Sequence, residues 1–252
     1  MRMERFDRHP GVRVAFTGRA EGNQAAHTGL SPREVAASRA GLAATLGVGP
    51  ERLSFMHQVH SALVAPAPAP GQAAPEADAI VDLSGALAPV VLTADCVPVA
   101  IAGELRGHSV LSVAHAGRPG LLGGVLEATL EELRAAGVTR LEAWIGPAVC
   151  GACYEVPEQM RAEAEERLPG ISSRTSWGTP ALDLPGAAAR ILAEAGALIH
   201  ATHACTLEEA TWFSYRGGDT APRNATLLWA GHDRSVQHAP QPGAERTKEE
   251  EQ

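Results

Sequence analysis

Three short stretches carry residue types that could do chemistry. In Thr93-Ala94-Asp95-Cys96-Val97-Pro98 a cysteine sits beside an acid at the junction of two apolar runs. Pro98 interrupts a regular ladder, so this is a place where a strand end exposes a side chain. An acid in an apolar stretch needs a polar partner, which makes Asp95 a candidate for moving protons there. In Val113-Ala114-His115-Ala116-Gly117-Arg118-Pro119-Gly120, small residues around His115 allow close backbone approach ahead of a helical pattern. Free amides at a glycine-rich helix start, with Arg118 beside them, suit an anion such as phosphate, so Gly117 and Arg118 are substrate-binding candidates. In His57-Gln58-Val59-His60, strand alternation puts His57 and Val59 on one face and Gln58 and His60 on the other. Only one of these imidazoles is then expected in a given site. Gln58 is carried as a substrate-contact candidate.

Taken together, His60, Cys96 and His115 each end a strand-like run. Two imidazoles and one thiolate make a zinc site of the catalytic kind, with a fourth position left for water. A metal there lowers the pKa of water toward neutrality and supplies a nucleophile. The same trio also reads as a cysteine nucleophile with a histidine base, which needs no metal. Cys150-Gly151-Ala152-Cys153 has the spacing of a redox pair or half a zinc site, but no second such motif exists. Cys150, Cys153 and Cys205 are therefore read as structural.

The elements that must position these residues alternate between strand and helix. Strands are expected at 12–17, 79–82, 90–93, 97–101, 109–114 and 141–145 and near Leu198 and Leu227, with an extended stretch at 53–64. Ser31-Pro32-Arg33-Glu34 is a capping box that opens a helix ended by Gly47. Apolar residues at helical spacing predict a helix over 121–136 ended by Gly137, with others near 157–168 and 184–195. The Pro/Ala-rich stretch 66–75 is expected as a surface loop inserted within one domain. Residues 1–11 are expected to be a flexible N-terminus, 12–231 the catalytic domain, and 232–252 a disordered tail.

Composition narrows the class. With 252 residues, 45% hydrophobic and 20% charged, the chain is globular rather than disordered or fibrous. Its net charge of −8 argues against a nucleic-acid surface. The apolar stretch 86–102 is interrupted by Asp95 and carries Pro89 and Pro98, so no membrane span is expected. Four cysteines are too few for a disulfide scaffold, and the first ten residues have no signal-like apolar run. A cytoplasmic chain with reduced thiols follows.

His57 to His60, Ala77-Asp78-Ala79, the Cys96 and His115 stretches, Ile145-Gly146-Pro147 with Cys153-Tyr154-Glu155-Val156, and Phe213-Ser214-Tyr215-Arg216 occur in the order seen in laccase-domain proteins. Over 12–229 the chain resembles this YfiH-like group, once called multicopper polyphenol oxidases and now purine nucleoside phosphorylases. The resemblance implies an α/β layered sandwich of mixed sheets flanked by helices, in a single domain. It also implies metal ligation by His60, Cys96 and His115, with zinc first and copper as the alternative. The implied substrates are purine nucleosides and phosphate: phosphorolysis of adenosine, inosine, guanosine and methylthioadenosine, with deamination of adenosine. Arg19, in Phe16-Thr17-Gly18-Arg19, matches a family arginine and is a candidate for phosphate or substrate contact. Ser61 departs from the usual glycine, and Arg118-Pro119 replaces a common Trp-Arg.

For phosphorolysis, phosphate held by Arg19, Arg118 and the glycine-rich amides would attack C1′ of the ribose, and an active-site histidine would protonate the departing base. For deamination, water activated by zinc would attack C6 of adenine with Asp95 moving protons. Some relatives are linked to peptidoglycan precursor editing, so an amide hydrolase using Cys96 as nucleophile or ligand is the first alternative. A copper-dependent polyphenol oxidase is the second. A non-enzymatic binding protein is the third.

Overall fold

A computed structural model of the protein describes residues 1–26 and 31–231. The tail expected to be disordered, 232–252, lies outside the described residues. In chain order the elements are β1 (Arg2–Arg5), β2 (Val12–Phe16), α1 (Pro32–Leu46), β3 (Leu53–Ser54), β4 (Val64–Pro66), β5 (Ala79–Asp82), β6 (Ala88–Thr93), β7 (Val97–Leu105), β8 (His108–Ala116), α2 (Arg118–Leu122), α3 (Val125–Ala135), β9 (Thr139–Ile145), α4 (Glu158–Arg167), β10 (Ser172–Arg174), β11 (Pro180–Leu182), α5 (Leu184–Glu194), β12 (Leu198–Ala201) and β13 (Asn224–Ala230). No described helix is long and apolar enough to cross a membrane.

Two mixed sheets stack face to face. One runs β1-β2-β13-β6-β3, the other β12-β9-β7-β8-β5-β4, and β10 with β11 forms a small separate hairpin. The strand sequences explain the layering. Along β7, Val97, Val99 and Ile101 pack toward the helices, whereas Ala100 and Ala102 join Val14, Phe16, Leu111, Val113 and Trp144 between the sheets. A strand covered on both faces needs apolar residues at successive positions, which is why this stretch shows no polar alternation. Leu126, Leu130 and Leu133 of α3 and Leu184, Ala188 and Leu192 of α5 cover the outer face of the six-stranded sheet. On the other side, Leu42 and Ala43 of α1 are buried, Leu42 packing with Val90, Leu92, Leu227 and Trp229 on the five-stranded sheet. The fold is thus a single-domain, mixed α/β sandwich flanked by helices, as the sequence implied.

The Ser31 half of the cap on α1 forms, Ser31 Oγ accepting from Glu34 N at 3.5 Å, and Gly47 ends the helix in the left-handed region. Three readings need correction. The helix expected over 121–136 is broken, because Gly123 and Gly124, the latter at φ +89°, separate α2 from α3. The stretch 53–64 is extended only at β3 and at Val64, so strand alternation does not describe His57 to His60. The N-terminus expected to be flexible is tied down: β1 pairs with β2, and buried Glu142 of β9 accepts the N–H groups of Asp7 and Arg8, each at 2.6 Å. A buried carboxylate demands donors, and the 7–8 backbone supplies them.

Candidate functional site

The chain leaves β6 in one sheet and enters β7 in the other through Ala94, Asp95 and Cys96. This crossover places the half-buried Cys96 thiol at the strand ends. Asp95 takes a left-handed backbone, φ +85°, and its carboxylate holds the turn in place. Oδ1 accepts from Thr206 Oγ1 and Ser214 Oγ, each at 2.7 Å, and Oδ2 accepts from Arg216 N at 2.7 Å. Next to this turn, His115 lies near the end of β8, opposite Pro98 of β7. His115 N donates to the carbonyl of Asp78, directly ahead of β5, at 2.7 Å. His60 comes from the connection between β3 and β4 and also has a left-handed backbone, φ +60°. Such conformations persist only where surrounding bonds fix them.

Asp78 is that fixture. Its Oδ1 accepts from His115 Nδ1 at 2.8 Å and from His60 N at 3.0 Å. Its Oδ2 accepts from Ser61 N at 2.6 Å, Ser61 Oγ at 2.7 Å and Val59 N at 3.2 Å. Burial alone would raise this carboxyl, but the bonds from His115 and Ser61 hold it well below the usual carboxylate range. Burial likewise opposes charge on His115 and Cys96. Against it, the bonds to Asp78 and Cys96 raise His115 to about 9. Bonds from His115 and His60 bring the Cys96 thiol down to about 6.

Cys96 Sγ lies 3.7 Å from His60 Nε2, and the ligand atoms of His60, Cys96 and His115 all fall within 4.8 Å of one another. The two imidazoles meet edge to face, with ring centres 4.6 Å apart. With Nδ1–H held by Asp78, His115 has Nε2 left to offer a metal once that nitrogen gives up its proton, the carboxylate–histidine arrangement that commonly orients a metal ligand. The donor set therefore suits a divalent, moderately soft cation. A side chain at Gly117 would stand 2.8 Å from His60 Cδ2 and 3.1 Å from Cys96 Sγ, so the absent Cβ is what lets the pair approach.

A cavity of about 360 Å³ opens over this trio, and Asp95, Gln58, Tyr154, Tyr215, Arg216 and Arg223 contribute to its walls. Several sequence expectations change here. Asp95 borders the cavity but spends its carboxylate on three loop contacts, so it is a positioning group rather than a free proton carrier. Both ends of the Gln58 amide bond the backbone of Leu92, at 2.8 and 2.9 Å, which makes it a brace to β6. Arg19 lies outside the lining: it pairs with Asp219 (Nη1–Oδ1 3.0 Å) and stacks on Phe213, holding the loop that carries Arg216. Arg118 begins the five-residue α2 and also lies outside the lining, as does His57.

The cations that do face the cavity, Arg216 and Arg223, were missed as candidates, together with Tyr154, Tyr215 and Asp78. Arg216 stacks on Tyr154 at 4.4 Å and gives Nη1 to the Glu155 carbonyl at 2.6 Å. Phe213-Ser214-Tyr215-Arg216 and Ala77-Asp78-Ala79 stood out as motifs, but nothing local assigned a role to Arg216 or Asp78.

The profile of the family described as "Multi-copper polyphenol oxidoreductase laccase" matches residues 3–231. The chain is 45% identical over 229 residues to "Purine nucleoside phosphorylase ORF3" of Streptomyces griseus, covering 88% of this chain and 92% of that one. It is 37% identical over 233 residues to a Corynebacterium glutamicum protein also named purine nucleoside phosphorylase, covering 86% and 94%. Among solved structures, YlmD from Geobacillus stearothermophilus superposes with a TM-score of 0.77 at 25% identity, covering 90% of this chain and 94% of that one. Neisseria meningitidis protein NMB0706 gives 0.75 at 28%, covering 90% and 98%.

Proposed function

Because the chain belongs to the multi-copper polyphenol oxidoreductase laccase family, we propose that it is a cytoplasmic purine nucleoside phosphorylase with zinc at His60, Cys96 and His115. The observation that supports this reading is the composition of one cavity: a metal-competent trio at its floor, two guanidinium groups and two phenol rings around it. When bound, the metal supplies Lewis acidity toward a substrate oxygen or a water.

The chain's own residues account for the rest. Among the described residues Arg216 Nε and Nη2 make no hydrogen bond, which leaves a fork suited to phosphate, with Arg223 nearby. Tyr154 and Tyr215 offer aromatic faces and hydroxyls to a purine and its ribose. In phosphorolysis a phosphate oxygen bonds to C1′, the glycosidic bond breaks, and the purine leaves with a proton. With the trio committed to metal and the Asp95 oxygens taken up by Thr206, Ser214 and Arg216 N, the phenols of Tyr154 and Tyr215 are the remaining cavity groups able to deliver that proton. Deamination of adenosine is the second activity expected of the same cavity.

Incubating the zinc-loaded protein with adenosine or inosine, with and without phosphate, tests the reading. Free base with ribose 1-phosphate should form only with phosphate, and inosine should form from adenosine in either tube. Unchanged nucleoside in every tube from zinc-loaded protein overturns it.

One observation favours a second reading. Cys96, His115 and Asp78 stand in nucleophile, base and orienting positions, with the thiol already lowered. An amide hydrolase of cell-wall precursors would use that triad without metal. Hydrolysis by metal-stripped protein that disappears in Cys96→Ser would select it.

A further inference from the structure

The segment after β9 and the segment after β12 run side by side. Ala148 and Cys205 form a parallel bridge, in which Ala148 N donates to the Ala204 carbonyl at 3.2 Å and Thr206 N to the Ala148 carbonyl at 3.1 Å. This pairing brings the turn Cys150-Gly151-Ala152-Cys153 against Cys205. The turn closes on itself, with Cys153 N and Tyr154 N both donating to the Cys150 carbonyl, at 3.0 and 2.9 Å. Cys150 N donates to Cys205 Sγ at 3.5 Å, the kind of bond that stabilises a sulfur carrying negative charge. The three sulfurs and a carboxylate oxygen of Glu208 all lie within 4.8 Å of one another. All four cysteines are free thiols.

We propose that Cys150, Cys153, Cys205 and Glu208 form a second, structural site for a thiophilic divalent cation, zinc in the first place. Three thiolates and a carboxylate complete a closed tetrahedral set with no position left for substrate. Tetrahedral zinc–thiolate bonds of ~2.3 Å set sulfurs ~3.8 Å apart, so the observed group needs to contract by at most about an ångström. Cys153 and Cys205 are buried and Glu208 is exposed, so the ion enters from the Glu208 side. The paired cysteines answer the sequence argument for a structural reading: the other half of the site comes from Cys205 and Glu208, across the fold, and not from a second Cys-x-x-Cys.

The position gives the ion a task. The first segment carries Tyr154 and the Glu155 carbonyl that holds Arg216, and the second carries Thr206, which holds Asp95. Clipping the two together fixes the back wall of the cavity without contributing a group to it. This inference does not rest on the nucleoside reading.

The Cys96→Ala protein reports the new site alone. Purified under reducing conditions, reconstituted with zinc and dialysed, it should retain one equivalent of zinc per chain, and adding Cys153→Ser should reduce that to none. Retention of no zinc by Cys96→Ala, or an equivalent that survives Cys153→Ser, overturns the proposal. Should the double variant not fold, alkylation of folded Cys96→Ala followed by peptide mass analysis decides: zinc should protect Cys150, Cys153 and Cys205 together, and a chelator should release them together. Equal labelling with and without zinc overturns it. Exposed Glu208→Gln should weaken zinc binding by about tenfold or more, as loss of one ligand from four does, and unchanged affinity overturns the four-ligand set.

Discussion

At the scale of single residues, the charge state of Cys96 is the most accessible property. Its thiol is depressed from an ordinary 9.0 to about 6, whereas burial pushes the Cys153 thiol well above the usual range. In metal-free protein, iodoacetamide should therefore label Cys96 first at pH 7, with a rate that falls as pH drops through about 6. An inflection near the ordinary thiol value would remove the basis for a thiolate here. Asp78→Asn keeps the shape but takes away the charge that fixes His115 Nδ1–H. Loss of such a partner typically costs about 10- to 100-fold in metal affinity, and equilibrium zinc titration should show a drop of that order. Gly117→Ala tests clearance: its φ of −66° suits alanine, but the new methyl meets the tip of His60 and Cys96 Sγ. His60 can swing away, so the fold should survive while zinc binding fails. Wild-type affinity in this variant would mean that His60 is not a ligand.

Between residues and the whole lies the loop system that Asp95 holds. Asp95→Ala removes the acceptor shared by Thr206 Oγ1, Ser214 Oγ and Arg216 N, and the loss should cost about 1–3 kcal/mol in urea unfolding. Because Arg216 is the group displaced, KM for phosphate should rise more than kcat falls; a purely structural role would leave that ratio unchanged. This element also shows what the sequence could reveal. The positions of β5 to β9 were legible because apolar runs and turn residues mark them locally, and Cys96 and His115 were legible because they sit at the ends of such runs; His60 lies in the connection between β3 and β4, where the strand reading that singled it out does not hold. The partners of Asp95 are Thr206, Ser214 and Arg216, more than a hundred residues away, so an acid needing partners looked like an acid needing substrate. Arg216 and Arg223 lie in the connection before β13, where no periodicity signals which way a side chain faces. Cys205 looked isolated for the same reason: its neighbours Cys150 and Cys153 reach it only through the pairing at Ala148.

For the whole molecule, the N-terminal segment is a structural member. Removing residues 1–9 strips buried Glu142 of two backbone donors and β2 of its edge partner, and should cost about 3 kcal/mol or more by chemical denaturation. A loss under about 0.5 kcal/mol, typical of neutral surface changes, would restore the reading of a flexible end. Stability against pH follows from the floor of the cavity. His115, raised to about 9, stabilises fully below its ordinary 6.5 and loses that contribution as pH climbs through 9. Cys96, depressed to about 6, does the reverse, contributing fully above 9.0 and losing its part as pH falls through 6. The opposing slopes cancel, so the Tm of metal-free protein should stay nearly level between pH 6.5 and 9.

The crossover that carries Cys96 from one sheet to the other has a consequence for how the protein is made. His60, Cys96 and His115 reach one another only after β6 has joined the first sheet and β7 and β8 the second. No early fragment of the chain therefore presents all three donors to an ion. Metal cannot nucleate this fold in the way it does a zinc finger. On the proposed reading, metal would be loaded into a finished protein, through a mouth where His60 is the exposed donor, so the supply of metal would govern how much of the folded pool is charged and not how much of it folds.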